Sequence, residues 1–90
     1  MIIVSQSGKS IINFNNICKI DVNKRGENDF TIDCFDIDTF EHMLGEYKTE
    51  ERAKEVLEEI IEFYEHKRVY ECREHILSFT KSFVYKMPLE

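Results

Sequence analysis

The sequence predicts an α+β domain: an antiparallel β-meander of about four strands, a C-terminal amphipathic helix region, and a final C-terminal strand. Three observations predict it. Up to about residue 48, short β-branched and aromatic runs alternate with turn residues. From Glu50 onward the chain shifts to Glu, Lys, Arg, Leu and Ile, with apolar residues at helical spacing. A strand pattern returns at Ser82-Phe83-Val84-Tyr85-Lys86-Met87, and Pro88 stops it. Ninety residues support one core, so 1–88 read as a single domain. Leu89-Glu90 read as a tag remnant.

Each element has a local reason. Ile2-Ile3-Val4 form a short strand, and Ser7-Gly8-Lys9 a tight turn in which Gly8 supplies a positive φ. Residues 10–22 read as one long strand bent at Asn15-Asn16. Its inward set is Ile12, Phe14, Cys18, Ile20 and Val22. Residues 23–29 form a polar loop around Gly26 and close a hairpin. The third strand, 30–37, turns Phe30, Ile32 and Cys34 inward, and Phe35 and Ile37 fall on the other parity. A β-bulge at 34–36 reconciles the two sets. A fourth strand covers 43–47, where Gly45 permits a turn, and Thr49 then caps the helix.

Along the helix Ala53, Val56, Leu57, Ile60, Ile61 and Tyr64 form one buried stripe. Leu57 and Ile60 are expected to be fully buried against Phe14, Ile20 or Ile32. A second apolar set, Val69, Cys72, Ile76 and Phe79, is rotated by roughly 100° from the first. The region is therefore either one kinked helix or two helices divided at 65–68.

Composition excludes several functions. Twelve Lys+Arg against eighteen Asp+Glu give a net charge of −6, and the densest basic groups are Lys24-Arg25 and Lys67-Arg68. Phosphate recognition needs clustered positive charge, so no nucleic-acid partner is expected. An acidic surface repels anionic lipid, and no apolar run approaches the ~20 residues of a spanning helix, so no membrane partner is expected either. The opening residues lack a basic n-region. Together with the odd, unpaired Cys18, Cys34 and Cys72, this reads as a cytoplasmic protein with reduced, structural thiols.

Motifs that carry chemistry are incomplete. Ser7-Gly8-Lys9-Ser10 has the tail of a phosphate loop, but Ile3 stands where a Gly is needed, and a strand follows instead of a helix. Asp33, Asp36, Asp38 and Glu41 lack the spacing and central Gly of a Ca²⁺ loop and read as a solvated strand end. Cys72 and His75 share a helix face, but a closed zinc site needs four ligands, and His42, His66, Cys18 and Cys34 are scattered. No nucleophile elbow appears. The expectation is no metal, no cofactor and no catalytic residue.

The run from Leu44-Gly45-Glu46-Tyr47 through Thr49, Glu51-Arg52-Ala53 and Val56-Leu57-Glu58-Glu59-Ile60 resembles a known pattern. So do Ile3-Val4-Ser5-Gln6 and Val84-Tyr85-Lys86-Met87-Pro88. The chain resembles small uncharacterised proteins of Gram-positive bacteria and their prophages. These carry LG-x-Y-x-T-x-E-R-A-x-x-V-L-D-E-I at a helix start and a terminal V-Y-x-M-P. Glu58 stands where that pattern has Asp. The resemblance implies a small α+β fold and no known activity.

The function expected from these readings is a non-enzymatic protein-interaction module that self-associates as a homodimer. Its expected interface is Val69, Cys72, Ile76, Phe79, Phe83 and Tyr85. The alternative is an acidic decoy that occupies a nucleic-acid-binding protein, motivated by seven Glu against two basic residues over 50–65. A small-molecule enzyme is the third option.

Overall fold

A computed structural model describes the backbone of residues 1–73 and 84–90, and the side chains of 1–65 and 84–90. In chain order the elements are β1 (Ile2–Val4), β2 (Ile11–Asn13), a 3-10 turn (Phe14–Asn16), β3 (Ile17–Gly26), β4 (Asp29–Asp36), β5 (Glu41–Tyr47), α1 (Glu50–Arg73) and β6 (Val84–Lys86). The α+β architecture of meander, helix and closing strand holds. Its strands resolve into two three-stranded sheets among the described residues, ordered β3-β4-β5 and β2-β1-β6. The first is the antiparallel meander. In the second, β1 pairs antiparallel with β2 and parallel with β6. The C-terminal strand thus pairs within its own chain.

The expected strand over residues 10–22 is broken. Asn13 Oδ1 accepts the Asn15 N–H at 3.0 Å, and this side-chain turn starts the 3-10 segment between β2 and β3. The expected loop over 23–29 contracts, since β3 and β4 stay paired to Gly26 and Asp29. The expected bulge at 34–36 falls elsewhere. Cys18 and Arg25 are extra residues in β3, and Leu44 is extra in β5, so β4 keeps its alternation while its neighbours absorb the irregularity. The Cys18 bulge takes that thiol out of the inward set and leaves it exposed. Gly45 lies inside β5, not in a turn. A Cβ there would stand 2.9 Å from Tyr47 Oη, so its missing side chain lets the buried Tyr47 ring lie across the strand.

Thr49 Oγ1 accepts the Arg52 N–H at 3.1 Å, and Glu50 and Glu51 follow in the first turn, as the cap and the helix dipole require. The helix packs on β3, β4 and β5. Ala53, Val56 and Ile60 bury completely with Phe30, Ile32, Cys34, Leu44 and Tyr47, and Met1, Ile3 and Met87 join this core from the second sheet. The buried stripe is narrower than the sequence suggests. Leu57 is only half-buried and Ile61 is 49% exposed. The helix runs without interruption through 65–68, so neither a second helix nor a turn begins there.

Candidate functional site

Two polar constellations stand out, one on the meander and one at the C-terminus. The first lies on the meander face opposite α1. Register places Thr31 and Asp33 of β4 beside Asn23 and Asp21 of β3. Both β4 side chains are buried, Thr31 at 2% and Asp33 at 1% exposure. Three donors converge on Asp33 Oδ2: Asn23 Nδ2 at 2.6 Å, Thr31 Oγ1 at 2.8 Å and the Arg25 guanidinium at 2.9 Å. Arg25 also donates to Thr31 Oγ1 at 3.2 Å and to Glu41 at 3.0 Å. Its side chain lies across the face as a lid, with Asp33 and then Glu41 raising its pKa. Asp33 is therefore an internal hub, not part of a solvated strand end.

Asp36 organises the β4–β5 connection. One carboxylate oxygen accepts the Asp38 and Phe40 N–H groups at 2.9 and 3.0 Å, and the other meets His42 Nε2 at 2.9 Å. These contacts, His42 first, hold Asp36 below the usual carboxylate range. Both Asp36 oxygens are thus occupied by the turn. The acidic run builds a hairpin and an ion pair whose carboxylate is buried, and no group of three or more metal-ligating side chains forms among the described residues.

The second constellation is a clasp on the chain's last residues. The Gln6 amide exchanges two hydrogen bonds with the Glu46 backbone, Oε1 accepting at 2.8 Å and Nε2 donating at 3.0 Å. The same Nε2 reaches the carbonyls of Pro88 and Leu89 at 3.1 and 3.0 Å. Tyr47 Oη donates to Pro88 O at 2.8 Å, and Arg52 Nε donates to Glu90 O at 2.9 Å. Burial pushes the Tyr47 hydroxyl up to about 12, so it stays a donor. Beside it opens a cleft of about 320 Å³ lined by Glu46, Tyr47, Thr49, Arg52 and Glu90. Asp29, by hydrogen bonding first and charge second, holds the Glu46 carboxyl above its usual range. Asp29 Oδ1 is otherwise buried without a donor. Segments 3–6, 44–60 and 84–88 meet in this clasp. Its bonds are to backbone groups of the same chain, which is a fastening role.

The other residues that stand out in the sequence lie away from these two constellations. Ser7-Gly8-Lys9-Ser10 is the β1–β2 turn, with Gly8 at φ 74° and its N–H on Ser5 O at 2.9 Å. Of the expected interface, Tyr85 is half-buried within the chain. It donates to Glu59 Oε2 at 2.9 Å and meets the Phe63 ring edge-on at 5.5 Å. Val69 and Cys72 lie on α1, with side chains outside those described. Ile76, Phe79 and Phe83, like His75, lie outside the described residues. Sequence reasoning missed Gln6 as a fastener and Arg25 as a lid. The side-chain partners of Gln6 lie 40 or more residues away, so no local signal marks it.

Cys34 is fully buried, and burial first, then Asp33 and Asp36, push its thiol up to about 11. Cys18 is exposed. Iodoacetamide at pH 8 is therefore expected to alkylate Cys18 in the folded protein and Cys34 only after unfolding. Peptide mapping reads this, and equal labelling of the two would contradict the burial.

No family model, curated protein or solved structure matches the chain. No described helix is long and apolar enough to cross a membrane.

Proposed function

We propose that this chain is a non-enzymatic, cytosolic protein-interaction module whose first partner is a second copy of itself. The observation that carries the reading is where apolar and polar groups lie. Ile37, Phe40 and Met43 stand 65%, 68% and 57% exposed on the single β4–β5 hairpin. A cluster of large apolar groups within seven residues favours contact with another protein. The polar side chains at the centre of the two constellations are meanwhile bound to one another or to backbone. Asp33 is enclosed by three donors, and Gln6, Tyr47 and Arg52 hold the C-terminal carbonyls.

The helix adds weight. Its 24 residues extend about 36 Å at ~1.5 Å per residue. Strand β4, with eight residues, extends about 27 Å. Tyr64, 5.3 Å from the Phe14 ring, is the last described apolar helix side chain against the core. Val69 and Cys72 lie on the helix beyond it.

Sedimentation velocity across low to high micromolar concentration tests the reading. A species of twice the 10.8 kDa chain mass is expected. A monomer throughout would overturn self-association. A second reading, the acidic decoy, draws support from the helix. Its two basic residues over 50–65 are already paired, Lys54 to Glu50 at 2.8 Å and Arg52 to Glu55 at 3.3 Å, while Glu51, Glu58 and Glu62 stay exposed. Salt-sensitive binding of a basic DNA-binding protein by the monomer would favour it.

A further inference from the structure

We propose that two copies of this chain join along the outer edge of β3, antiparallel about a two-fold axis at Ile20, merging two meanders into one six-stranded sheet. This rests on the self-association reading and specifies its surface. The two edges of the meander differ. On β5, Gln6 occupies the edge: its N–H donates to Leu44 O at 2.8 Å, and its side-chain amide pairs with the Glu46 backbone. On β3, a ten-residue edge strand without proline, the Ile17 N–H turns back onto Phe14 O, and no described strand pairs with the outer side along 19–26. Such an edge presents a row of unpaired N–H and C=O groups to another strand.

The register follows from charge. Over 19–24 the alternation of β3 is regular. Lys19, Asp21 and Asn23 share the face of Phe35, Asp33 and Thr31, whereas Ile20 and Val22 share the core face of Cys34 and Ile32. A two-fold axis perpendicular to the sheet keeps the faces matched, so one residue sits opposite itself. With Lys19 or Asp21 on the axis, like charges meet. With Val22 on the axis, Lys19 faces Arg25. With Asn23 there, Asp21 faces Arg25, which is already held by Asp33 and Glu41. With Ile20 on the axis, Lys19 of each copy faces Asp21 of the other, and Ile20 meets Ile20.

The side chains are poised for this. Lys19 Nζ lies 3.4 Å from Asp21 Oδ2 of its own chain, with 65% and 30% of the two side chains exposed. Two copies would close these into a ring of alternating charge. Ile20 and Val22, half-buried in one copy, gain apolar cover. An edge lysine ordinarily discourages pairing with an arbitrary strand. Here Asp21 at the matching position makes the edge selective for a second copy of itself.

Charge reversal tests this by sedimentation equilibrium. Lys19→Asp alone and Asp21→Lys alone are each expected to weaken the homodimer about tenfold or more, because two facing pairs become repulsive. An equimolar mixture of the two variants is expected to form a 1:1 heterodimer about as tight as the unsubstituted homodimer. No other register on this edge predicts that rescue. Amide hydrogen exchange on the unsubstituted protein is the second measurement, with residues 19–23 gaining protection as concentration rises. A homodimer that ignores both substitutions, or exchange that ignores concentration, would overturn the β3 interface and leave self-association standing. An unsubstituted chain that stays monomeric would remove both.

Discussion

Ile60→Ala is expected to lower the unfolding free energy by about 2–5 kcal/mol, read as a fall in the urea midpoint at unchanged slope. Ile60 is 1% exposed and shares the core with Ala53, Val56, Ile32 and Leu44. Truncation removes apolar contacts and leaves a cavity that the helix, fixed at its start by the Thr49 cap, cannot readily collapse. The next residue is the control. Ile61 is 49% exposed, so Ile61→Ala is expected to stay within about 0.5 kcal/mol of the parent. Leu57→Ala falls between them, since Leu57 is half-buried. Equal midpoint shifts for Ile60 and Ile61 would mean that the helix presents a different face to the sheet.

The contrast between these neighbours shows how far the sequence reaches. Spacing identified a helix from Glu50 and most of its buried stripe, because one face of a helix is set by geometry alone. It could not set the width of the stripe, which depends on how the sheet curves beneath it. The cap at Thr49 and the inward set Phe30, Ile32 and Cys34 were legible for the same local reason. The two-sheet division was not legible. It turns on the Asn13 side chain capturing a backbone N–H and on a parallel pairing between residues more than 80 apart. Cys18 was misplaced because a bulge shifts parity by one residue, and nothing in the alternation of apolar residues announces a bulge.

The polar constellations were less legible still. Alternation assigns Asp33 to the face away from the core, and that assignment is right. The inference that Asp33 is therefore wet fails, because Arg25 folds over it and Asn23 and Thr31 supply donors, while Asp38 and Glu41 of the same acidic run are exposed. Gln6 posed the opposite problem. It has no periodic context, and its role appears only when the β5 edge and the C-terminal carbonyls arrive beside it.

Asp33→Ala should cost about 1–3 kcal/mol of stability, the scale for stranding a buried hydrogen-bonding group. The carboxylate accepts from Asn23, Thr31 and Arg25 at 2.6–2.9 Å while its side chain is 2% exposed. The donors do not suffer equally when it leaves. Arg25, with 47% of its side chain exposed, can turn to water. Thr31, buried at 2%, cannot, and its hydroxyl proton loses its acceptor. The loss therefore centres on Thr31, and Asp33→Ala combined with Thr31→Val should cost less than the two single changes added together. Asp33→Asn should recover part of the loss, because an amide oxygen can still accept one or two of the three donors. Arg25→Ala should be milder than Asp33→Ala, since Asn23 and Thr31 still serve the carboxylate and the departing lid admits water to it. Urea midpoints for the single and double variants read all of this. Strict additivity of the Asp33 and Thr31 changes, or an Asp33→Ala protein as stable as the parent, would show that this face of the meander is solvated and that Arg25 does not close it.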